Sequence, residues 1–202
     1  NAELGIRASS VKQASKLAIN LLSRDIQSIL FARSRLRVEI MTTYLKEALR
    51  RMGKDGRLVR GYRGGYLPTE RREIEKGLRE GKVMAVVSTN ALELGIDIGS
   101  LDVCIMTGYA GSVASTWQQA GRAGRRQTVS LVILVASSAP LDQYIISHPE
   151  YFFEQAPETG TVDPNNLIIL ASHVKCAAFE LPFVEGEAFG LDRTGTTELL
   201  DY

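Results

Sequence analysis

Apolar positions along the chain follow two alternating rhythms. Over residues 10–22 they recur every three to four places, which predicts an amphipathic helix capped by Ser9 or Ser10. Residues 27–32 (QSILFA) form a short apolar run suited to a strand buried on both faces. Val38, Met41, Leu45, Leu49 and Met52 return to helical spacing, and Gly53 closes that helix. A second strand is expected over residues 59–62. Thr69 is the expected cap of a third helix that carries Ile74 and Leu78 and ends at Gly81. Residues 83–87, 102–107 and 129–136 read as further strands, with a helical stretch at 112–119 between the last two. Strand and helix alternating in this way predict an α/β fold, a doubly wound parallel sheet over residues 1–137.

After residue 138 the rhythm breaks. Pro140, Pro149, Pro157, Pro164 and Pro182 interrupt short helical pieces such as 141–147 and 171–181. Residues 138–202 are therefore expected to form a mainly helical extension, the start of a further domain. No apolar run reaches membrane-spanning length, and no signal-peptide pattern opens the chain. The first residue is Asn1 and the last are Asp201-Tyr202, which reads as a piece of something larger.

Composition changes this picture little. Of 202 residues, 45% are hydrophobic and 23% charged, as in an ordinary globular protein. Two cysteines, Cys104 and Cys176, provide no disulfide framework and suggest a reducing compartment. His173 and Cys176 have H-x2-C spacing, but a structural zinc wants four ligands. With two His and two Cys in the whole chain, core or helix-surface roles fit them better, and no metal site is expected.

Charge adds more. The net charge of +1 conceals 15 Lys and Arg against 7 Asp and Glu in residues 33–82, and 2 against 11 in residues 140–202. A basic half suits a phosphate backbone, although Glu70, Glu73, Glu75 and Glu80 interleave it as on a solvated helix face.

Two motifs carry candidate chemistry. Residues 115–126 (STWQQAGRAGRR) set Arg122 and Arg125 three apart, each directly after a glycine, so both can face one target. Paired guanidinium forks suit a polyphosphate. Alone, the pattern also fits a basic helix end complementing its own dipole. Upstream, residues 88–99 (STNALELGIDIG) follow a buried-strand pattern and put Thr89 and Asn90 at the strand's C-terminal end, where open α/β sheets place ligands. Phe31-Ala32-Arg33-Ser34-Arg35 ends the first strand likewise, with Ser34 able to cap the next helix. The loop Tyr62-Arg63-Gly64-Gly65-Tyr66-Leu67-Pro68 fits either a phosphate or stacking role or a turn anchored by aromatic packing. Trp117 reads as a packing residue.

T-x5-G-x-D followed by Q-x2-G-R-x-G-R resembles motifs V and VI of superfamily 2 helicases. With the Tyr62–Pro68 loop, PLDQY at 140–144 and His148-Pro149-Glu150, the chain is similar to the bacterial YprA-type, mitomycin-repair helicases from about residue 10 to 183. The resemblance implies the second RecA-like domain of an ATP-driven 3′-to-5′ DNA translocase in DNA repair, cytoplasmic and bacterial. Its partners would be single-stranded DNA and an upstream RecA-like domain. It implies that Arg122 and Arg125 reach the γ-phosphate, Arg125 as the arginine finger, with Gln118 nearby. Gly95 and Asp97 would lie beside the nucleotide, and Thr89, Ser34, Arg33 and Arg63 along the DNA. No G-x4-G-K-[ST] and no D-E-x-H occur in these residues, so ATP and Mg²⁺ would be bound mainly by the upstream domain. Two other readings use the same residues: an RNA helicase or another translocase of the superfamily, or a RecA-like module that only binds nucleic acid or protein.

Overall fold

A computed structural model of the chain describes residues 8–94, 98–99, 101–124, 129–160, 162–163 and 166–201. Five strands, β1 (Ser28–Phe31), β2 (Val59–Tyr62), β3 (Ala85–Ser88), β4 (Val103–Thr107) and β5 (Leu131–Val135), pair in parallel in the order β2-β3-β1-β4-β5. The short apolar runs pair this way because each central strand is buried on both faces.

Side chains alternate between two cores, as strand geometry requires. Leu30, Ala85, Val87, Val103 and Ile105 pack with α1 (Ser10–Ser23) and α2 (Arg35–Arg51) through Ala14, Ala18, Val38, Met41, Leu45 and Leu49. Ile29, Phe31, Val86, Cys104 and Met106 face the other way, onto Ile74 and Leu78 of α3 (Pro68–Arg79). The doubly wound sheet is the one expected.

Ser9 caps α1, accepting from the Lys12 amide, and Ser34 caps α2 through the Arg37 amide. The third helix departs from expectation. It starts at Pro68 with Leu67 at the cap position and no side-chain cap bond, so Thr69 lies inside the first turn. Proline, with φ already helical and no N–H to satisfy, begins the helix itself.

α4 (Val113–Ala120), α5 (Pro140–Ser147) and α6 (Pro149–Phe153) complete the first compact unit, which runs to Glu158. The change of composition at 138 and the division in packing after 158 do not coincide, because Asp142 at the start of α5 is buried in the sheet unit. Its carboxylate accepts from the backbone of Tyr109 (3.1 Å) and Ser137 (2.8 Å) and from the Ser137 hydroxyl (2.6 Å). Gly108, at φ +88°, leaves room for it, since a Cβ there would lie 2.9 Å from Asp142 Oδ2.

Residues 159–202 form the second unit. In it α7 (Leu167–Glu180), capped by Asn166, and α8 (Arg193–Asp201) bury Leu170, Val174 and Thr196. The extension is helical, as expected. His173 and Cys176 are exposed on α7. Among the described residues no helix is long and apolar enough to cross a membrane.

Candidate functional site

Three strand ends build a crevice. β1 runs into Ala32, Arg33 and Ser34, β3 into Thr89 and Asn90, and β4 into Gly108. Their register is locked, because the Ala32 amide donates to the Ser88 carbonyl (2.8 Å) and the Thr107 hydroxyl to the Phe31 carbonyl (2.7 Å). A cavity of about 250 Å³ opens among Phe31, Arg33, Thr89, Asn90, Gly108 and Gln119. It lies at the C-terminal edge of a parallel sheet, where such folds bind ligands.

Arg33 points one guanidinium nitrogen to within 3.7 Å of Asp142 Oδ1 while staying 44% exposed, so its charge is anchored yet reachable. The Thr89 hydroxyl accepts from the Ala91 amide (3.4 Å), shaping a short turn over Asn90–Leu92. Ser34 is exposed beside them at the N-terminus of α2, whose unpaired amides and dipole favour an anion.

Arg63 goes elsewhere. Its Nε donates to Glu39 (2.7 Å) and its guanidinium lies 4.8 Å above the Tyr66 ring, while the Tyr66 hydroxyl also donates to Glu39 (3.0 Å). That hydrogen bond from Arg63 holds the Glu39 carboxyl below its ordinary range. The loop is thus anchored by aromatic and ionic packing, one of the two readings its sequence allowed.

α4 leads from the crevice to the glycine-arginine motif. Ser112 caps it through the Ser115 amide (3.0 Å), and Glu158 accepts from the amides of Val113 (2.6 Å) and Ala114 (3.1 Å). Those backbone donors hold the Glu158 carboxyl below its usual range. Gln118 is exposed on α4, and Trp117 stacks on Phe152 at 4.8 Å, the packing role expected. Beyond Gly121 the Arg122 amide donates to the Gln119 carbonyl (3.1 Å), and the Arg122 carbonyl accepts from the Leu101 amide (3.3 Å), so its backbone is pinned between α4 and the start of β4. Arg125, Gly95 and Asp97 lie outside the described residues.

One buried carboxylate beside the crevice is not signalled by the sequence. Glu93, 7% exposed, accepts from the Ser115 hydroxyl (2.6 Å) and from Gln119 Nε2 (2.9 Å). Ser115 and Gln119 are one turn apart on one face of α4. Glu93 therefore clamps the segment after β3 to the helix that precedes Arg122. Glu93→Ala would leave the buried Gln119 amide without its acceptor, at a cost of about 1–3 kcal/mol. Glu93→Gln, which keeps an acceptor oxygen, should cost less. Urea denaturation of both variants checks this, and equal stability of wild type and Glu93→Ala would mean that the clamp contributes nothing.

Residues 11–127 match the profile of the helicase conserved C-terminal domain. The chain belongs to that helicase family. It is 57% identical over 203 residues to the uncharacterized ATP-dependent helicase YprA of Bacillus subtilis, covering 100% of this chain and 27% of that protein. To the ATP-dependent helicase HRQ1 of Saccharomyces cerevisiae it is 40% identical over 182 residues, covering 87% and 17%. The crystal structure of the helicase MrfA bound to DNA and AMPPNP superposes with a TM-score of 0.86 at 57% identity, over 97% of this chain and 28% of that one. The RecA-like fold and the superfamily 2 resemblance therefore hold, for a chain that spans little more than a quarter of the length of YprA. Among the described residues no three of His, Cys, Asp and Glu come together to hold a metal ion.

Proposed function

We propose that this chain is the second RecA-like domain of an ATP-driven, 3′-to-5′ DNA translocase that works in DNA repair. The observation that carries the reading is the crevice, where Arg33, Thr89 and Gln119 meet beside the helix that runs into the paired arginines. Relatives named ATP-dependent helicases, and a relative bound to DNA and AMPPNP, support it. Polarity and repair rest on the motif resemblance to the mitomycin-repair helicases.

In this reading the upstream domain would hold ATP and its Mg²⁺, which would supply charge neutralisation at the phosphates. Arg122 and Arg125 approach the γ-phosphate across the cleft between the domains, Gln118 orients groups beside it, and Gly95 and Asp97 flank the nucleotide. Phosphoryl transfer needs charge stabilisation more than covalent help, so a fork delivered by domain closure gates the reaction. Thr89, Arg33 and the Ser34 helix terminus hold DNA phosphates. Arg63 contributes through the loop that it pins to Glu39. Glu93 joins the two halves, because the segment that touches DNA and the helix that leads to the arginines share its carboxylate.

The test is nucleic-acid-stimulated ATP hydrolysis by the parent protein. DNA should stimulate and RNA should not. Thr89→Val and Arg33→Gln should weaken DNA binding. Arg33→Gln should also flatten the dependence of log K on log salt, by about 0.7 for the single-strand phosphate that is no longer neutralised, whereas Thr89→Val removes no charge and should leave that slope unchanged. Equal stimulation by RNA, or unchanged affinity in both variants with an unchanged slope in Arg33→Gln, would overturn the reading.

A further inference from the structure

We propose that the free edge of β2 carries a phosphate-binding cleft separate from the crevice at the strand ends. Among the described residues β2 pairs only with β3, and along its open side lies a cleft of about 310 Å³ between α2 and the start of α3. It shares no lining residue with the crevice.

α2 presents Thr42, Lys46 and Arg50 to this cleft at one-turn spacing, on one face of the helix. Arg57 and Arg60 come from the β2 side. The carboxylates around the cleft are largely committed. Glu39 accepts from Arg63 and Tyr66, Asp55 accepts from the Arg57 amide and Nε, and Glu70 lies 3.8 Å from Arg60. Among the described residues no carboxylate lies within ion-pairing distance of Lys46 or Arg50.

Thr42 supplies an independent observation. It is 5% exposed, and its hydroxyl finds no hydrogen-bond partner among the described residues. Buried hydroxyls are seldom left this way. Gly61 lets the β2 backbone approach it, because a Cβ there would lie 3.2 Å from Thr42 Oγ1 and 2.9 Å from the Tyr66 hydroxyl. A hydroxyl proton, an ammonium and a guanidinium converge on one cleft, and all three donate. Lysine and arginine cannot accept, so the matching ligand is rich in acceptors and negatively charged. A phosphate group has that chemistry, and the cleft accounts for part of the basic excess in residues 33–82. The phosphate could belong to a free polyphosphate or to a nucleic-acid backbone, and either would bind here whether or not the chain is part of a motor.

The experiment titrates this chain with sodium pyrophosphate, and separately with oligothymidylate, following backbone amide shifts by NMR. One of the two probes should shift the amides around Thr42, Lys46, Arg50 and Gly61. In a Lys46→Gln/Arg50→Gln double variant that probe should bind at least about tenfold more weakly, because two charge-assisted hydrogen bonds are removed. A Lys16→Gln variant, on α1 and in the lining of neither cleft, should keep these shifts. Pyrophosphate binding would identify a free-anion site. Oligothymidylate binding alone, with a flatter salt slope in the double variant, would identify a backbone phosphate. No shift at these amides with either probe, or equal affinity in the double variant, overturns the proposal.

Discussion

Alanine at Arg122 or Arg125 is expected to lower the DNA-stimulated ATPase turnover of the parent protein by about 10³–10⁵-fold, the range in which arginine fingers act in nucleotide hydrolases. Nucleotide affinity should be largely kept, because the interaction strengthens as charge develops on the γ-phosphoryl group, and the deficit should appear in kcat. The backbone of Arg122 is pinned by Gln119 and Leu101, so a side chain leaving that point has a fixed origin. Lysine keeps the charge and lacks the planar fork, so Arg125→Lys should also be impaired. Arg126→Ala, outside the G-R-x-G-R register, should be mild. Turnover and nucleotide affinity measured for all four variants decide the matter. Near-normal turnover in Arg122→Ala and Arg125→Ala would reduce the pair to a basic helix end.

The central strands β1, β3 and β4 were legible because both faces of the sheet are covered there, which turns each into an apolar run that no loop would carry. Helix phases were legible for a related reason: α2 buries Val38, Met41, Leu45 and Leu49, the positions that recur at helical spacing. Legibility failed where tertiary structure chose between local options. Thr69 and Pro68 both signal a helix start, and the proline began the helix.

The site was legible at the strand ends, where topology alone brings Arg33 and Thr89 to one crevice. Arg63 was ambiguous because an arginine beside tyrosines can meet a phosphate or a carboxylate, and the carboxylate, Glu39, sits 24 residues away on another element. Glu93 and Asp142 were opaque for the same reason. Each reads in sequence as an ordinary surface acid, and only the fold buries it against donors that are distant in the chain or turned inward by a loop.

Asp142→Ala is expected to destabilise the chain by about 2–4 kcal/mol, because it strands the backbone N–H groups of Tyr109 and Ser137 that the carboxylate now accepts from. For a chain of this size that corresponds to a fall in Tm of about 5–15 °C. Arg33 adds little to the figure, since its guanidinium is 44% exposed and solvent screens the pair. Burial pushes the Asp142 carboxyl up, but hydrogen bonds from the Ser137 hydroxyl and amide and from the Tyr109 amide, with the Arg33 charge, outweigh it and leave the group below its ordinary range. A carboxyl depressed in the folded state contributes stability that is fully present above its unfolded value, about 3.9, and is lost as pH falls through the folded value. The stability gap between wild type and Asp142→Asn should therefore be constant near neutrality and close below about pH 4. Asparagine keeps the shape and one acceptor oxygen, so its deficit at neutral pH should be smaller than that of alanine. Thermal melts of the three proteins from neutral to acid pH measure both effects. A gap that persists undiminished below the folded value would mean that the charge of Asp142 does not hold α5 to the sheet. Absence of the gap at neutral pH would remove the carboxylate from the fold's support altogether.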